Sequence, residues 1–215
     1  EMNDKTLRSG TVSFSGVEAL LENVRNYGAR SADSLGLTAS GLFMDSAHFR
    51  MQFRESYADS LRGFQLAVRL SPFDLSSLNP ALEPLASVRV LSGKLDTLRM
   101  NAIGREHLAH GKMKFYYSGL RSQLLEKGRE EKSSFAMRLK NFAANHFIIR
   151  RSNLSEPGEV FYERDTEKSI FNYWVKMILS GIISSTGIKS NHVMDKRYFK
   201  ALKQYDVPAI PETEP

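Results

Sequence analysis

The sequence predicts an α+β protein in which a curved antiparallel β-sheet of about seven to nine strands has an apolar face covered by C-terminal helices. Two observations lead to this prediction. Apolar and polar residues alternate with period two through most of the first 120 residues, and a long apolar helical pattern follows near the end. We divide the chain into a sheet domain (1–165), a helical segment that packs on the sheet (166–206) and a proline-rich tail (207–215) that we expect to be disordered.

Three stretches alternate most clearly and define one apolar side of the predicted sheet. A slip of register by one residue would expose the whole set, so we expect its members to share a face. Weaker strand patterns cover 12–14, 17–24 and 37–44. The apolar residues of the three clear strands are Phe49, Met51 and Phe53, then Phe64, Leu66, Val68 and Leu70, then Met113, Phe115 and Tyr117.

The stretch 88–103 is a strand pattern with interruptions. Its apolar residues change parity at Gly93 and again near Asp96, which predicts β-bulges. Residues 104–106 are typical of a hairpin tip and lead into a strand over 107–120. A last strand is expected at 160–162.

Helical patterns lie mainly in the last third of the chain. The clearest covers 168–185 and has a narrow polar stripe of Asn172, Lys176 and Ser180. We expect Phe171, Trp174, Val175, Ile178 and Ile182 to pack against the sheet, leaving Tyr173, Met177 or Ile183 to line a cavity mouth or touch a membrane. Shorter helices or turns are expected at 75–87, where two prolines lie among leucines, at 135–144 and at 198–205.

The basic charge is concentrated in one part of the chain. The whole sequence has 30 basic and 24 acidic residues, a net charge of +6, and 105–151 alone contains eleven basic against four acidic side chains. Such clustering favours a polyanionic neighbour, either nucleic acid or an anionic membrane surface.

Motifs for catalysis or cofactor binding are not evident, and we expect no enzyme activity, cofactor or metal. The chain has no cysteine, which excludes disulfides and thiolate chemistry. Residues 181–190 differ from a phosphate-binding loop, because a helix precedes them and Gly187 more simply ends that helix. Glu106, His107 and His110 suggest a metal site, but on a strand residues three apart point to opposite faces, so the two imidazoles would not share an ion.

The predicted strand at 107–120 also resembles a surface that could stack bases. Phe115, Tyr116 and Tyr117 lie beside Lys112 and Lys114. Alternation, however, places the ring of Phe115 on the face opposite Lys114. A solvated sheet face is therefore favoured over a surface that binds nucleic acid.

Several short patterns indicate a family. Within 73–125 the patterns are Leu78-Asn79-Pro80, Ser92-Gly93 with Leu95 and Asp96, and then Gly111, Met113, Tyr117 and Leu120. Further patterns are NFAANHF at 141–147, VFYER at 160–164 and SIFNYWVKMILSGIISSTGIK at 169–189. On these stretches, about two thirds of the chain, the sequence resembles the C-terminal region of AsmA-like envelope proteins of Bacteroidetes-type bacteria.

AsmA-like proteins are similar to bridge-like lipid transporters, whose antiparallel strands curl into a groove with an apolar inner face for acyl chains. The resemblance implies a non-enzymatic module that binds or guides phospholipid acyl chains in outer-membrane and envelope maintenance. It also implies a periplasmic location, with a tether to the inner membrane through a segment outside this chain. The expected partners are phospholipid or a membrane surface and the remainder of a longer AsmA-like chain, whereas nucleic acid is not expected.

The candidate sites follow from the apolar face, the last helix and the basic stretch. Candidate acyl-chain contacts are Phe49, Met51, Phe53, Phe64, Leu66, Val68, Met113, Phe115, Tyr117, Trp174 and Ile178. Candidate contacts to anionic headgroups are Lys112, Lys114, Arg121, Lys127, Arg138 and Lys140. Two alternatives stay open: a structural or protein-interaction domain with a closed core and no ligand, and a nucleic-acid-binding β domain.

Overall fold

The computed structural model describes residues 10–26, 28, 33–61, 63–125 and 149–215. In this part of the chain eight strands form one antiparallel sheet that is not closed, accompanied by three α-helices and one 3-10 helix, which confirms the α+β prediction. The strands are β1 (Phe14–Glu22), β2 (Ser34–Phe43), β3 (Ala47–Ser56), β4 (Phe64–Leu70), β5 (Phe73–Asp74), β6 (Val88–Gly104), β7 (Leu108–Leu124) and β8 (Gly158–Glu163). Their order is β1-β2-β3-β4-β6-β7-β8, and the short β5 pairs with β6 beyond the end of β4.

The strand register confirms the predicted alternation. Met51 lies opposite Val68, which lies opposite Met100, which in turn lies opposite Met113, so one row of apolar side chains crosses four strands. Directly opposed residues in an antiparallel pair project to the same face. We call this side the apolar face and the other side the polar face.

Strand β6 contains the predicted bulges. Its pairing with β7 shifts between Val90 and Ser92, between Ser92 and Lys94, and between Leu95 and Thr97. Gly93 has φ +144°, and a Cβ there would meet the Cα of Leu120 at 3.1 Å, so this position requires glycine.

The helices lie on both faces of the sheet at the β7–β8 end. The 3-10 helix Leu75–Leu78 and helix α1 (Asn79–Ala86) pack beside β6. Helix α2 (Ile170–Ser185) covers β8, β7 and part of β6. Helix α3 (Asn191–Tyr205) begins much earlier than the predicted 198–205, because Ser190 caps its N-terminus by accepting a hydrogen bond from the Val193 amide.

Two cores result from this arrangement. The larger core lies between the apolar face and helix α2. The smaller core lies on the polar face and joins Leu108 of β7 and Phe161 of β8 to Met194, Tyr198 and Ala201 of α3 and to Ile210 of the tail. At β7 and β8 the sheet is therefore apolar on both sides.

Helix α2 packs in a different orientation from the one expected. Trp174 is buried as predicted, and Ile178 and Ile182 are partly buried against the larger core, also as predicted. Phe171 and Val175, however, are 64% and 52% exposed, while Tyr173 and Met177 are buried. The side against the sheet is formed largely by small residues, and Gly181 lies so close that a Cβ would meet the Met113 side chain at 2.8 Å. Small side chains let the helix approach the sheet closely, which rotates its large residues to the flanks.

The tail 207–215 differs from the expected disorder because it lies along the polar face. Ile210 is buried, and its amide donates a hydrogen bond of 2.5 Å to the Tyr198 hydroxyl. Thr213 donates to the carbonyl of Asn101 at 2.7 Å, and Arg105 donates to the carbonyl of Pro208 at 2.5 Å. An apolar anchor with flanking hydrogen bonds thus holds a segment whose proline content suggested disorder.

Asn153 connects three parts of the fold. Its buried side-chain amide donates to the carbonyls of Phe115, Glu156 and Ser185, at 3.1, 2.8 and 3.3 Å. Its backbone exchanges two hydrogen bonds with Tyr117, whose hydroxyl donates to the carbonyl of Arg150 at 2.7 Å. The helix predicted at 135–144 lies outside the described residues.

Gly158 provides a test of the contact between helix and sheet. A Cβ at Gly158 would meet the hydroxyls of Ser185 and Ser184 at 2.3 and 2.5 Å and the Gly181 carbonyl at 2.8 Å. Gly158→Ala should lower the free energy of unfolding by about 1–3 kcal/mol because the helix must move away. The control Gly36→Ala changes another strand glycine, where the nearest atoms are 3.8 Å away, and should be close to neutral. Denaturant unfolding measures both, and equal losses would contradict the close packing.

Tyr117 gives the fold a defined response to alkaline pH. Burial raises the pKa of Tyr117 to about 12, so between pH 10 and pH 12 the unfolded chain releases a proton that the folded chain retains. Stability should therefore fall as pH rises through this window, and Tyr117→Phe should make the decline shallower. In Tyr117→Phe the free energy of unfolding should still fall somewhat with pH, because burial raises the pKa values of Tyr173 and Tyr198 too. Unfolding free energies from about pH 8 to about pH 11 test this, and an unchanged slope would contradict it.

Candidate functional site

The apolar face continues beyond the area that helix α2 covers. On strands β1–β4 many of its side chains are only partly buried or are exposed, and we call the area that these side chains form the open apolar face. Phe14 and Leu21 on the edge strand β1 are 56% and 55% exposed. Its members are Phe14, Leu21, Leu35, Leu37, Phe43, Phe49, Met51, Val68 and Leu70.

The predicted acyl-chain contacts fall into two groups. Seven are buried in the larger core, beneath or beside helix α2, and a molecule bound at the surface could not reach them without opening the fold: Phe53, Phe64, Leu66, Met113, Phe115, Tyr117 and Trp174. The other four, Phe49, Met51, Val68 and Ile178, are partly exposed. The predicted contacts that stay accessible thus lie on strands β3 and β4 and on the flank of the helix.

Aromatic rings form the boundary between the covered and the open areas. Trp174 of helix α2 contacts Phe53 of β3 with ring centroids 5.1 Å apart, and Phe53 contacts Phe64 at 5.2 Å. Tyr173 closes the row through an edge-on contact with Phe64 and donates a hydrogen bond to the carbonyl of Arg105. Such contacts fix the helix where it ends over the sheet.

A separate depression lies at the bulged end of β6. It has a volume of about 480 Å³, and both charged and apolar side chains line it, among them Asp74, Lys94, Phe73 and Leu91. Asp74 is already engaged as the cap of the 3-10 helix. The mixed lining is a poor environment for an acyl chain.

The structure describes three of the six predicted headgroup residues. Lys112 lies 3.7 Å from a carboxylate oxygen of Glu159, and Lys114 donates a hydrogen bond to the carbonyl of Pro215. Arg121 is exposed near the far end of β7. Lys127, Arg138 and Lys140 lie outside the described residues.

A different set of basic residues is aligned on the polar face. Arg50 lies opposite Arg69, Arg69 opposite Arg99, and Arg99 opposite Lys114, so one row crosses β3, β4, β6 and β7. We call this the basic row. The three arginines are exposed, and no carboxylate in the described ranges pairs with them. Like charges placed directly opposite one another destabilise a sheet, which makes an uncompensated row unusual. The row is not evident in the sequence because it depends on the register between strands.

Helix α3 brings a third group of polar residues together on the polar face. His110 of β7, Glu159 of β8 and Asp195 of α3 place potential ligand atoms within 4.8 Å of one another. His110 Nε2 lies 3.5 Å from Glu159 Oε2, and the imidazole stacks on the Tyr198 ring at 3.9 Å. His107 lies in the hairpin turn and stacks on Tyr205, two helical turns away from Tyr198. Both histidines therefore contact helix α3, and His110 is the one that lies close to carboxylates.

Burial favours the uncharged forms of the His110–Glu159 pair. It lowers the pKa of His110, with Asp195 and Glu212 opposing the shift and Lys112 adding to it. It raises the pKa of Glu159, which the nearby Lys112 counteracts. Among the described residues, neither His110 nitrogen has a hydrogen-bond partner, and neither has Glu159 Oε2.

Comparisons with protein-family models, with curated proteins and with solved structures return no significant match. The AsmA-like resemblance therefore stays a prediction from sequence motifs. Of the helices in the described ranges, none combines the length and apolar character needed to span a bilayer.

Proposed function

We propose that this chain is a non-enzymatic lipid-binding module that holds phospholipid acyl chains against the open apolar face, as the AsmA-like resemblance implies. The observation that carries the proposal is an apolar surface that continues across strands β1–β4 where helix α2 no longer covers it. Large exposed apolar patches on a folded chain mark binding surfaces for lipids or other apolar partners.

The dimensions of the face suit an acyl chain. From Leu35 to Phe43 strand β2 extends for roughly 26 Å at about 3.3 Å per residue, and four neighbouring strands are about 14 Å across. One acyl chain occupies about half of the roughly 30 Å hydrocarbon core of a bilayer. Each methylene group removed from water contributes about 0.8 kcal/mol, so a chain lying along this face would bind appreciably.

The partial coverage by helix α2 supports the proposal over a closed structural domain. A closed core would leave few large apolar side chains of the helix and of this sheet face exposed. Instead Phe171 and Val175 on the helix are more than half exposed, and Met51 and Val68 on the sheet are partly exposed. In this proposal the aromatic boundary at Trp174 forms one wall of the acyl-chain site.

The basic row receives a separate role, because it lies on the opposite face from the acyl-chain site. A single phospholipid cannot place its chains on one face and its headgroup on the other across the middle of the sheet. We assign the row to contact with an anionic membrane surface, where each Lys or Arg contributes about 1 kcal/mol. Lys114, one of the headgroup contacts predicted from the sequence, belongs to this row.

Acyl-chain binding is tested by placing a carboxylate on the open apolar face. Leu21→Glu and Met51→Glu should reduce the phospholipid that co-purifies with the chain, measured by native mass spectrometry and lipid extraction, because burying a carboxylate against hydrocarbon is costly. Leu20→Glu is the matched control: Leu20 is 59% exposed and adjacent to Leu21 but projects from the polar face.

The control should retain the lipid of the unmodified chain. Because Leu20 and Leu21 are both exposed on an edge strand, neither substitution should impair folding, which circular dichroism checks. The acyl-chain proposal fails if the unmodified chain carries no phospholipid, or if Leu20→Glu loses as much lipid as Leu21→Glu.

Membrane contact by the basic row is tested with vesicles. Arg69→Gln with Arg99→Gln should weaken co-sedimentation with vesicles containing anionic lipid by about 30-fold, since two contributions of about 1 kcal/mol are lost. The matched control, Arg25→Gln with Arg89→Gln, removes two arginines that are paired elsewhere, with Asp33 and Glu83. It should bind nearly as well as the unmodified chain.

Ionic strength and lipid composition test whether the vesicle binding is electrostatic. Binding should fall when neutral lipid replaces anionic lipid and when ionic strength is raised. Vesicle binding that ignores both, or tight salt-sensitive binding to nucleic acid without vesicle binding, would contradict the role given to the row.

A further inference from the structure

We propose that His110, Glu159 and Asp195 form a binding site for a divalent transition-metal ion such as Zn²⁺, which joins helix α3 to strands β7 and β8. The three residues come from three separate elements, and their ligand atoms lie within 4.8 Å of one another. This site lies on the polar face, away from the open apolar face, and does not depend on lipid binding.

The distances fit a metal better than a hydrogen bond. Two ligand atoms that each lie about 2.1 Å from a tetrahedral ion are about 3.4 Å apart. His110 Nε2 and Glu159 Oε2 are separated by 3.5 Å, which is too long for a good hydrogen bond between them. Asp195 lies close enough for rotation of its side chain to complete the set.

The unpartnered atoms are the second reason. The His110 side chain is 9% exposed and the Glu159 side chain 13%, yet both imidazole nitrogens and Glu159 Oε2 are without hydrogen-bond partners in the described part of the chain. A buried polar atom without a partner costs about 1–3 kcal/mol in free energy, and nearly all such atoms in folded proteins are satisfied. A coordinated ion satisfies Nε2 and Oε2 together.

The surroundings hold the ligands in place. The Glu159 amide donates to the side chain of Asn191, and the Glu159 carbonyl accepts from the Ser184 hydroxyl at 2.7 Å. Lys112 lies near Oε1, the other carboxylate oxygen, and leaves Oε2 directed at His110. The Tyr198 ring fixes the plane of the imidazole. Asp195 is partly exposed and provides the side from which an ion enters.

The ligand chemistry identifies the class of ion. An imidazole nitrogen with two carboxylates suits Zn²⁺ and similar first-row ions, whereas Mg²⁺ and Ca²⁺ prefer sites built of oxygen alone. The carboxylates of Glu159, Asp195 and the nearby Glu212 outnumber the one ammonium group of Lys112, so a cation is also favoured by charge. Three protein ligands leave a fourth position for water.

Calorimetry with Zn²⁺ alone tests the site in the full chain after treatment with a chelator and desalting. We expect one ion per chain and an increase in Tm of about 5–10 °C when free Zn²⁺ is about 100 times its Kd. Mg²⁺ should produce neither effect. Co²⁺ used in place of Zn²⁺ should give the intense visible absorption of a four-coordinate ion. Absence of saturable one-to-one Zn²⁺ binding would overturn the proposal.

Variants locate the ion. Asp195→Asn and His110→Phe should each weaken Zn²⁺ binding at least about tenfold and abolish the Tm increase, and phenylalanine keeps a ring against Tyr198. The matched control His107→Phe removes the imidazole that stacks on Tyr205 and should bind Zn²⁺ like the unmodified chain. If His110→Phe fails to fold, the partly exposed Asp195→Asn decides the matter: unchanged Zn²⁺ affinity in that variant, or loss of binding in the control, would refute the site.

Discussion

The close approach of helix α2 to strand β8 is the constraint on which the rest of the structure depends. Gly158 on the strand faces Gly181, Ser184 and Ser185 on the helix with no room for a single added carbon. Serines and glycines at a contact bury less hydrophobic area than larger residues, but they allow the two backbones to come closer together. Because the helix lies so close to β7 and β8, its aromatic residues lie at its flanks. The part of the apolar face that the helix covers ends at Trp174. The same contact that closes one half of the apolar face thus leaves the other half uncovered.

The surface of the sheet differs between its β8 and β1 ends and between its two faces. Toward β8 both faces are apolar and packed, with helix α2 on one side and helix α3 with the tail on the other. Toward β1 one face remains apolar without a helix, and the other carries aligned arginines. Stability therefore comes mainly from the β6–β8 half, whose cores are complete, while the open apolar face lies in the β1–β4 half. Such a division lets binding surfaces change without disturbing the packed core.

Much of the fold could be predicted from the sequence, because side-chain alternation, bulges and glycine positions are local properties. The rows through Met51 and Phe53, the parity changes around Gly93 and the location of helix α2 were all predictable in this way. The orientation of the helix was not, since it depends on how closely Gly181 can approach Met113. The second core was missed because Leu108 and Phe161 occupy positions that alternation assigned to a solvated face. His110, Glu159 and Asp195 are distant in sequence, and no spacing rule connects them.

The two edge strands of the sheet differ in whether their outward backbone groups are available to pair with another strand. At β8 the outward amide and carbonyl of Glu159 are already bonded to side chains of helices α3 and α2, so another strand would have to displace them. Strand β1 ends the sheet as described, and its flanks are exposed on both faces, with Val17, Leu20 and Leu21 each more than half accessible. In the described part of the chain, a strand added beside β1 would therefore meet less obstruction than one added at Glu159 of β8. A sheet that lengthened past β1 would carry the apolar face with it.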